Sequence, residues 1–229
     1  MYLIIKRIFD FLLAALLLLI LLPLLLPAIL LLRFTAEGEV FYFQKRIGLK
    51  KKYFHIWKFA TMLKNSANIG AGTITLRNDP RVTPVGRYLR KSKINELPQI
   101  INVLKGDMSF VGPRPLDDKA FDAYPDGVQA KIYNSRPGIT GIGSIIFRDE
   151  ERIISAADLP PREFYTRHIA PYKGTLELWY LENTSLVTDL KILMLTAWVI
   201  LFPESDLIYK VFKNLPERPE NLQQAFAKA

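Results

Sequence analysis

The sequence predicts a mainly α protein with one small β-hairpin, in which a proline-broken N-terminal membrane helix precedes a compact cytosolic domain with interfacial helices. Three observations predict this fold: one long uncharged apolar run, one stretch of alternating residues around a glycine, and several segments with helix-capping signals. We place the membrane segment at residues 1–34 and the cytosolic domain at residues 35–229.

The apolar run from Phe11 to Leu32 contains no charged residue, and about 20 apolar residues suffice to cross a bilayer as a helix. Pro23 and Pro27 each remove a helix hydrogen bond, so we expect the segment to bend near its middle. Basic residues flank both ends, so the positive-inside rule selects no side for a straight crossing. A re-entrant helix broken at Pro23 satisfies both flanks. A single-pass helix with a proline kink is the alternative, and a signal peptide is disfavoured because no small-residue cleavage site follows.

The composition indicates an anionic partner. The 229 residues carry a formal net charge of +9, which suits nucleic acid, anionic lipid or a phosphorylated substrate. No recognised nucleic-acid-binding motif accompanies this charge, and the apolar N-terminus argues against nucleic acid. The absence of cysteine excludes disulfides, thiolate metal sites and cysteine nucleophiles. The two histidines, His55 and His168, are not spaced as a metal-ligand pair.

Local patterns predict the remaining elements. Alternating residues from Glu39 to Phe59 predict a β-hairpin with a turn at Gly48. Short and long helices are predicted at Pro84–Lys91 and Leu186–Phe202, and a loop at 65–79. The longer helix carries two charged residues, so it is a core helix or an interfacial helix rather than a second membrane span.

The stretch from Asn95 to Gly106 is the most informative one. Pro98 suits the first turn of a helix, and Gly106 suits its C-terminal cap. Asn95 and Glu96 then lie just before the helix N-terminus, where free N–H groups and the helix dipole favour a phosphate or a carboxylate. Asn95 as a simple capping residue is the alternative.

Two proline-glycine loops follow, Gly112–Pro115 and Arg136–Gly141. Each loop places an arginine beside a rigid turn. A guanidinium held in this way suits a pair of phosphate oxygens, although an arginine near a turn is common on protein surfaces.

Short motifs occur along the chain in a fixed order: Lys6–Asp10, the proline-broken apolar run, Lys58–Met62, Val85–Arg90, Asn95–Gln99, Asn102–Ser109, Gly112–Pro115 and Arg136–Gly141. Together they resemble the monotopic phosphoglycosyl transferases, a family of bacterial sugar transferases that act on polyprenyl phosphate. The resemblance covers residues from about 3 to 200 of the 229, nearly the whole chain.

The resemblance implies a re-entrant helix in the bacterial inner membrane, broken at Pro23, with the catalytic domain on the cytosolic face. It implies transfer of a phosphosugar from a UDP-sugar to undecaprenyl phosphate with release of UMP. This reaction is the first membrane step of glycan or exopolysaccharide assembly, and downstream glycosyltransferases would use its product. In the family an aspartate attacks the β-phosphate, and a neighbouring glutamate binds Mg²⁺.

The family's functional residues carry over with one gap. Glu96 matches the metal-binding glutamate, and four basic residues match positions around the substrate phosphates: Lys58, Arg90, Arg114 and Arg148. Asn95 occupies the position of the aspartate nucleophile, and Ala60 stands where a basic residue is usual. We therefore predict Asn95 and Glu96 as the catalytic pair.

Four hypotheses account for Asn95. Glu96 itself attacks, a nearby acid such as Asp107 or the pair Asp149 and Glu150 replaces the aspartate, or the lipid phosphate attacks the UDP-sugar directly. In the fourth, the chain is a scaffold that binds nucleotide-sugar or lipid without catalysis, or it is an asparagine variant made to trap substrate. The retained arginines and Glu96 favour an active transferase.

Overall fold

The computed structural model describes residues 1–35, 37–68, 78–203 and 205–228. Its helices are α1 (Tyr2–Phe34), α2 (Pro84–Lys91), α3 (Gln99–Lys105), α4 (Asp118–Phe121), α5 (Asp126–Gln129), α6 (Ile142–Ile146), α7 (Glu150–Ser155), α8 (Pro161–Phe164), α9 (Ala170–Glu182), α10 (Leu186–Leu201), α11 (Leu207–Val211) and α12 (Glu220–Lys228). Its strands are β1 (Phe41–Ile47), β2 (Tyr53–Phe59), β3 (Ser109–Val111) and β4 (Gly138–Thr140). The prediction of a mainly helical fold with one hairpin is confirmed. Most of the loop predicted at 65–79 lies outside the described residues.

Helix α1 contains the predicted membrane segment. Within the described ranges it is the one helix that is long and apolar enough to cross a membrane. The helix runs through Pro23 and Pro27, so neither proline ends it. The re-entrant bend at Pro23 stays a prediction.

The first turns of α1 are fixed to the domain by charged side chains. The Lys6 ammonium lies 2.5 Å from the Asp189 carboxylate of α10. Arg7 donates to two backbone carbonyls at the end of α3, at 2.6 and 2.9 Å. The buried Asp10 carboxylate accepts a hydrogen bond from the Phe110 amide at 3.1 Å. The N-terminal motif therefore anchors α1 to three other elements.

The last turns of α1 pack on the same domain. Leu25, Ala28 and Leu32 form a small apolar cluster with Phe59 of β2 and Leu89 of α2. The middle of the helix contributes to the main core, which the later helices and β3 build. Both ends of α1 are thus held by one compact body.

The hairpin pairs antiparallel from Phe41 opposite Phe59 to Ile47 opposite Tyr53. Its turn places two lysines, Lys50 and Lys51, in the left-handed region at φ 53° and 59°, a conformation that is uncommon for residues other than glycine. Gly48 has an extended backbone instead. A side chain there would come within 2.9 Å of the Phe54 ring, so close packing accounts for this glycine.

The two short helices around the informative stretch form as predicted. Thr83 caps α2 by accepting a hydrogen bond from the Gly86 amide at 3.0 Å. Pro98 precedes α3, and Gly106 ends it with φ 89°. The Asn102 side chain then joins α3 to β2, because it accepts from the Trp57 amide at 2.9 Å and donates to a β2 carbonyl at 2.8 Å.

The two proline-glycine loops pack against each other through a parallel pairing that the sequence did not predict. Ser109 and Val111 of β3 lie opposite Gly138 and Thr140 of β4. A Cβ atom on Gly138 would come within 2.2 Å of the Gly112 amide nitrogen, so this close approach requires glycine. The pairing holds the loop that carries Arg114 against the start of α6.

Helix α10 has one buried and one exposed apolar face. Ile192, Leu195 and Val199 are buried in the core. The opposite face exposes large apolar side chains: Leu186, Val187, Leu190, Met194, Trp198 and Leu201. The helix therefore combines the two alternatives of the sequence, since it packs in the core and presents an apolar surface.

Candidate functional site

A cleft of about 2020 Å³ lies between the hairpin, the turn before α3 and the segments around α7 and α9. All six side chains predicted for catalysis or phosphate binding line it: Lys58, Arg90, Asn95, Glu96, Arg114 and Arg148. The fold therefore brings together residues that are up to 90 positions apart in the chain. Their roles toward a substrate stay predictions.

Glu96 is surrounded by positive charge. Its Oε1 lies 3.1 Å from the Lys58 ammonium and 3.9 Å from the Arg114 guanidinium. Burial by itself would raise the pKa of the Glu96 carboxyl, but the charges of Lys58, Arg114 and Lys93 outweigh it. The pKa of Glu96 therefore lies well below its usual range, and the carboxylate is ionised at neutral pH.

Burial opposes the charge of both cations, but their pKa values shift in opposite directions. Burial lowers the pKa of Lys58 to about 8, since it outweighs the attraction of Glu96. Burial also opposes the charge on Arg114, but the carboxylates of Glu96 and Glu150 outweigh it and raise the pKa of Arg114. Arg114 is thus held between two carboxylates of the cleft and stays charged.

Asn95 lies in a 3-10 turn, Ile94–Glu96, that leads into α3. Its side chain is 6% exposed, and its Oδ1 has no hydrogen-bond partner among the described residues. It does not cap α3, whose N-cap residue is Pro98. The capping alternative is therefore wrong, and a buried, unpartnered amide oxygen lines the cleft beside Glu96. A buried polar atom without a protein partner is a candidate position for contact with a bound ion, water or ligand.

The remaining predicted cations lie on the α7 side of the cleft. Arg90 is paired with Glu151 of α7. Arg148 precedes α7, and its NH1 is buried without a partner in the part of the chain that the structure describes. Arg46 Nε and Arg218 Nε, on two other arginines that line the cleft, are also buried without a partner in the described ranges.

The acids proposed as replacements for the aspartate separate into two groups. Asp107 does not line the cleft, and its carboxylate accepts from the Asn102 amide at 3.3 Å. Asp149 and Glu150 do line the cleft, and Glu150 is paired with the buried Lys173 of α9.

Two charged residues of α9 support the site without belonging to any of the predicted motifs: Lys173 and Glu177. Lys173 is 2% exposed and Glu177 is fully buried. Glu177 Oε1 accepts a hydrogen bond from the Arg114 amide at 3.5 Å, so it supports the loop that carries this arginine. Burial raises the pKa of Glu177 to about 7. The sequence pattern that could have identified Lys173 and Glu177 is their spacing of four residues. This spacing puts both on one face of a helix that also buries apolar residues.

Arg136 lies outside this cleft, unlike Arg114. It lines a second pocket of about 380 Å³ at the start of α1. Its Nε donates to the Gly106 carbonyl at 2.9 Å. The structure thus brings one of the two loop arginines to Glu96 and uses the other to fix the end of α3.

The protein alone offers few metal ligands. No group of three or more His, Cys, Asp or Glu side chains that could hold a metal ion occurs in the described ranges. Mg²⁺ is commonly held by one or two carboxylates together with substrate phosphates and water. Glu96 and the unpartnered Asn95 oxygen suit this kind of site, in which a bound diphosphate supplies further oxygens.

One wall of the cleft is apolar and belongs to the two most apolar helices. Leu17 and Leu21 of α1 line it, together with Leu193, Ala197 and Ile200 of α10. The charged floor around Glu96 is therefore continuous with a surface that suits a hydrocarbon chain.

Comparisons with known proteins agree with a charged cleft that adjoins an apolar wall. A model of the family described as bacterial sugar transferase matches residues 1–203. The undecaprenyl-phosphate glucose phosphotransferase of Komagataeibacter xylinus is 35% identical over 201 residues, which cover 83% of this chain and 35% of that protein. The undecaprenyl-phosphate galactose phosphotransferase of Salmonella typhimurium is 33% identical over 212 residues, covering 86% of this chain and 40% of that protein. The exopolysaccharide production protein ExoY of Rhizobium meliloti is 35% identical over 205 residues, 83% of each chain. The chain thus spans well under half of the two named phosphotransferases and most of ExoY.

Proposed function

The chain belongs to the bacterial sugar transferase family, and we propose that it transfers a phosphosugar from a UDP-sugar to undecaprenyl phosphate and releases UMP. The observation that carries this proposal is the cleft itself. Its floor holds an ionised carboxylate among fixed cations, and its wall is formed by the membrane helix. Such a site suits a reaction between a charged nucleotide-sugar and a phosphate on a lipid chain.

The cations bind and neutralise the phosphates in this proposal. Lys58 and Arg114 lie at Glu96, Arg90 is paired with Glu151 of α7, Arg148 precedes α7, and all four line the cleft. Charge-assisted hydrogen bonds from these groups bind phosphate oxygens and stabilise the negative charge that moves to UMP as it leaves. The buried, unsatisfied NH1 of Arg148 supports this role.

We propose Mg²⁺ as the cofactor, held by Glu96 with the Asn95 oxygen and completed by the substrate diphosphate. When bound, the metal would polarise the phosphate oxygens and neutralise charge. The low pKa of Glu96 favours this role, because the carboxylate is available as a ligand throughout the neutral range.

The membrane position supports a reaction at the cytoplasmic face of the bacterial inner membrane. UDP-sugars are cytosolic substrates, and the lipid acceptor reaches the cleft along its apolar wall. We propose that α1 enters and leaves by the same face and that glycosyltransferases extend the product in exopolysaccharide assembly. The relatives are named for glucose and for galactose, so the sugar has to be found with a panel of donors.

A non-catalytic scaffold is the second candidate function. The amide at position 95 favours it, because an amide is a poor nucleophile. In that case the cleft binds nucleotide-sugar or lipid, and the chain recruits other enzymes.

The test is UMP release from a panel of UDP-sugars in detergent, with undecaprenyl phosphate and Mg²⁺. We expect release with at least one sugar, loss of release with EDTA, and loss of release in the Glu96→Gln variant. Glu163→Gln is the matched control, because Glu163 lies outside the cleft in a surface pair with Arg167, and it should retain activity. If wild-type protein bound a UDP-sugar but released no UMP with any donor, the scaffold function would replace the transferase.

A further inference from the structure

We propose that the lipid phosphate attacks the UDP-sugar directly, in a complex with both substrates bound, and that no covalent phosphosugar-enzyme forms. This inference rests on the proposed transferase function and deepens it. A phosphate oxygen of the lipid forms a new bond to the β-phosphorus of the donor. The bond between that phosphorus and the oxygen bridging to the α-phosphate breaks, and UMP leaves with the electron pair. The products are the lipid diphosphate sugar and UMP, and no other reactant is needed.

The side chain at position 95 offers no nucleophile. Asn95 is buried in the cleft with an unpartnered Oδ1 beside Glu96. An uncharged amide can orient a phosphate or a metal, but it does not form a stable phosphoryl intermediate as a carboxylate does. The group placed beside Glu96 is therefore suited to binding and not to attack.

The carboxylates that line the cleft all have partners within the protein. Each acidic side chain that lines it in the described ranges forms an ion pair with a lysine or an arginine, except Glu37, which accepts a hydrogen bond from the Lys64 backbone amide. These acids are Glu37, Glu39, Asp79, Glu96, Asp117, Asp149, Glu150, Glu151 and Asp206. In each of them a cation or an amide competes with phosphorus for the lone pairs of the carboxylate.

Glu96 is the acid nearest to Asn95 in sequence and the most strongly neutralised one. The Lys58 ammonium lies 3.1 Å and the Arg114 guanidinium 3.9 Å from its Oε1. Two cations beside this oxygen make it a weaker nucleophile toward phosphorus. The lipid phosphate, in contrast, brings its own charged oxygen into the cleft, so no protein carboxylate has to act as the nucleophile.

The cleft has the room and the positive charge for two phosphorylated substrates. The cleft has a volume of about 2020 Å³, whereas pockets for one small ligand are about 300–1,000 Å³. Lys58 and Arg114 lie at Glu96, while Arg90 and Arg148 lie on the α7 side. These two sets of cations suit a donor diphosphate and an acceptor phosphate held together beside the apolar wall.

Isotope exchange tests the inference on the full-length protein in detergent. Labelled UMP is incubated with unlabelled UDP-sugar and Mg²⁺, with and without undecaprenyl phosphate. A covalent intermediate would return label to the UDP-sugar in the absence of lipid, whichever side chain attacks. Direct attack predicts no exchange above the enzyme-free blank without lipid, and UMP release once lipid is added. Exchange or a phosphosugar adduct on the intact protein without lipid would overturn the inference while leaving the transferase function in place. If no UMP were released from the UDP-sugar with or without lipid, the transferase function itself would be overturned.

The stereochemistry at phosphorus gives an independent readout. One displacement inverts the configuration of a β-phosphorus made chiral by sulfur and oxygen isotopes, and two successive displacements retain it. We expect inversion in the lipid product. Retention would show an enzyme-bound intermediate that exchanged too slowly to detect.

Discussion

At the scale of single residues, two groups near the cleft titrate close to neutral pH for the same physical reason. Burial disfavours the charged form of both Lys58 and Glu177. It lowers the pKa of the lysine to about 8 and raises the pKa of the glutamic acid to about 7. Lys58 lines the cleft, so its titration affects binding, whereas Glu177 supports the Arg114 loop from below, so its titration affects stability.

The Lys58 pKa predicts an alkaline limit for activity. Lys58 in the free protein loses its charge as the pH rises through about 8, so its attraction for a phosphate is lost there. We expect kcat/KM for the UDP-sugar to fall above this pH, since that parameter reports the ionisation of the free enzyme. Lys58→Arg keeps the charge and should move the fall to higher pH. The same alkaline limb in both proteins would assign it to another group.

The Glu177 pKa predicts a pH-dependent gain in stability from a single substitution. The native state holds a proton up to about pH 7, whereas the unfolded chain releases it near the ordinary value of 4.5. The free energy of unfolding therefore falls as the pH rises from about 4.5 to about 7. Above this range the ionised Glu177 makes the native state less stable by about 3 kcal/mol. We expect Glu177→Gln to unfold at a higher temperature than wild type at pH 8, with the difference closing toward pH 4.5.

The exposed Glu163 supplies the control for this measurement. Its carboxylate is partly exposed in a pair with Arg167, so Glu163→Gln should change the unfolding temperature little at any pH. A gap between Glu177→Gln and wild type that stays constant with pH would show that packing, not ionisation, causes the difference.

At the scale of elements, periodicity and caps predicted the parts of the fold that local sequence determines. The hairpin, α2, α3 and α10 form within a few residues of their predicted bounds. The β3–β4 pair escaped prediction because three-residue strands carry no period, and their pairing depends on a partner 29 residues away. In the same way, Lys173 and Glu177 belong to the site only because α9 passes beneath it, which no local pattern reveals.

The close approach of β3 and β4 predicts a sensitive glycine. A Cβ at Gly138 would lie 2.2 Å from the Gly112 amide nitrogen and 2.5 Å from the Thr140 carbonyl, and these are backbone atoms that cannot rotate away. We expect Gly138→Ala to destabilise the protein by at least about 1–3 kcal/mol and to reduce UMP release, because the displaced loop carries Arg114. Thermal unfolding and the UMP assay measure the two effects.

Gly127 provides the matched glycine for comparison. It lies in α5, and a Cβ there would meet no atom within 4 Å. Gly127→Ala should therefore be neutral or stabilise the helix by up to about 1 kcal/mol. Equal effects of the two substitutions would contradict the packing explanation for Gly138.

At the scale of the whole molecule, apolar surface is concentrated on two helices. The outer face of α1 exposes leucines along its length, and α10 exposes an apolar face that ends in Trp198 and Phe202. The ammonium of Lys6 joins the starts of these helices through Asp189. We expect this exposed apolar area to meet the membrane. The sequence predicted a membrane helix from length alone, whereas the surface of α10 depends on which of its faces the core covers.

The contacts of α1 with the domain decide which membrane topology we expect. A straight helix of 33 residues is about 50 Å long, and a crossing would place its ends on opposite sides of about 30 Å of hydrocarbon. Its first turns, however, bind Asp189 through Lys6, and its last turns pack on Phe59 and Leu89. One compact domain in water cannot hold both ends across a bilayer. We therefore expect both ends of α1 on the cytoplasmic side, with the exposed apolar face of the helix in the lipid.

Single cysteines test this topology, because the natural chain contains none. We expect Leu3→Cys, before the apolar run, and Lys50→Cys, in the hairpin turn, to react with a membrane-impermeant reagent from the same side of sealed vesicles. Leu19→Cys should not react with the reagent from either side of the vesicle. Leu19 lies in the middle of the apolar run, and its side chain is 71% exposed on the surface of the protein, where lipid would cover it. Permeabilised vesicles establish that the first two cysteines are reactive in principle. Labelling of Leu3→Cys and Lys50→Cys from opposite sides would mean that α1 crosses the bilayer, and its last turns would then have to separate from Phe59 and Leu89 in the membrane.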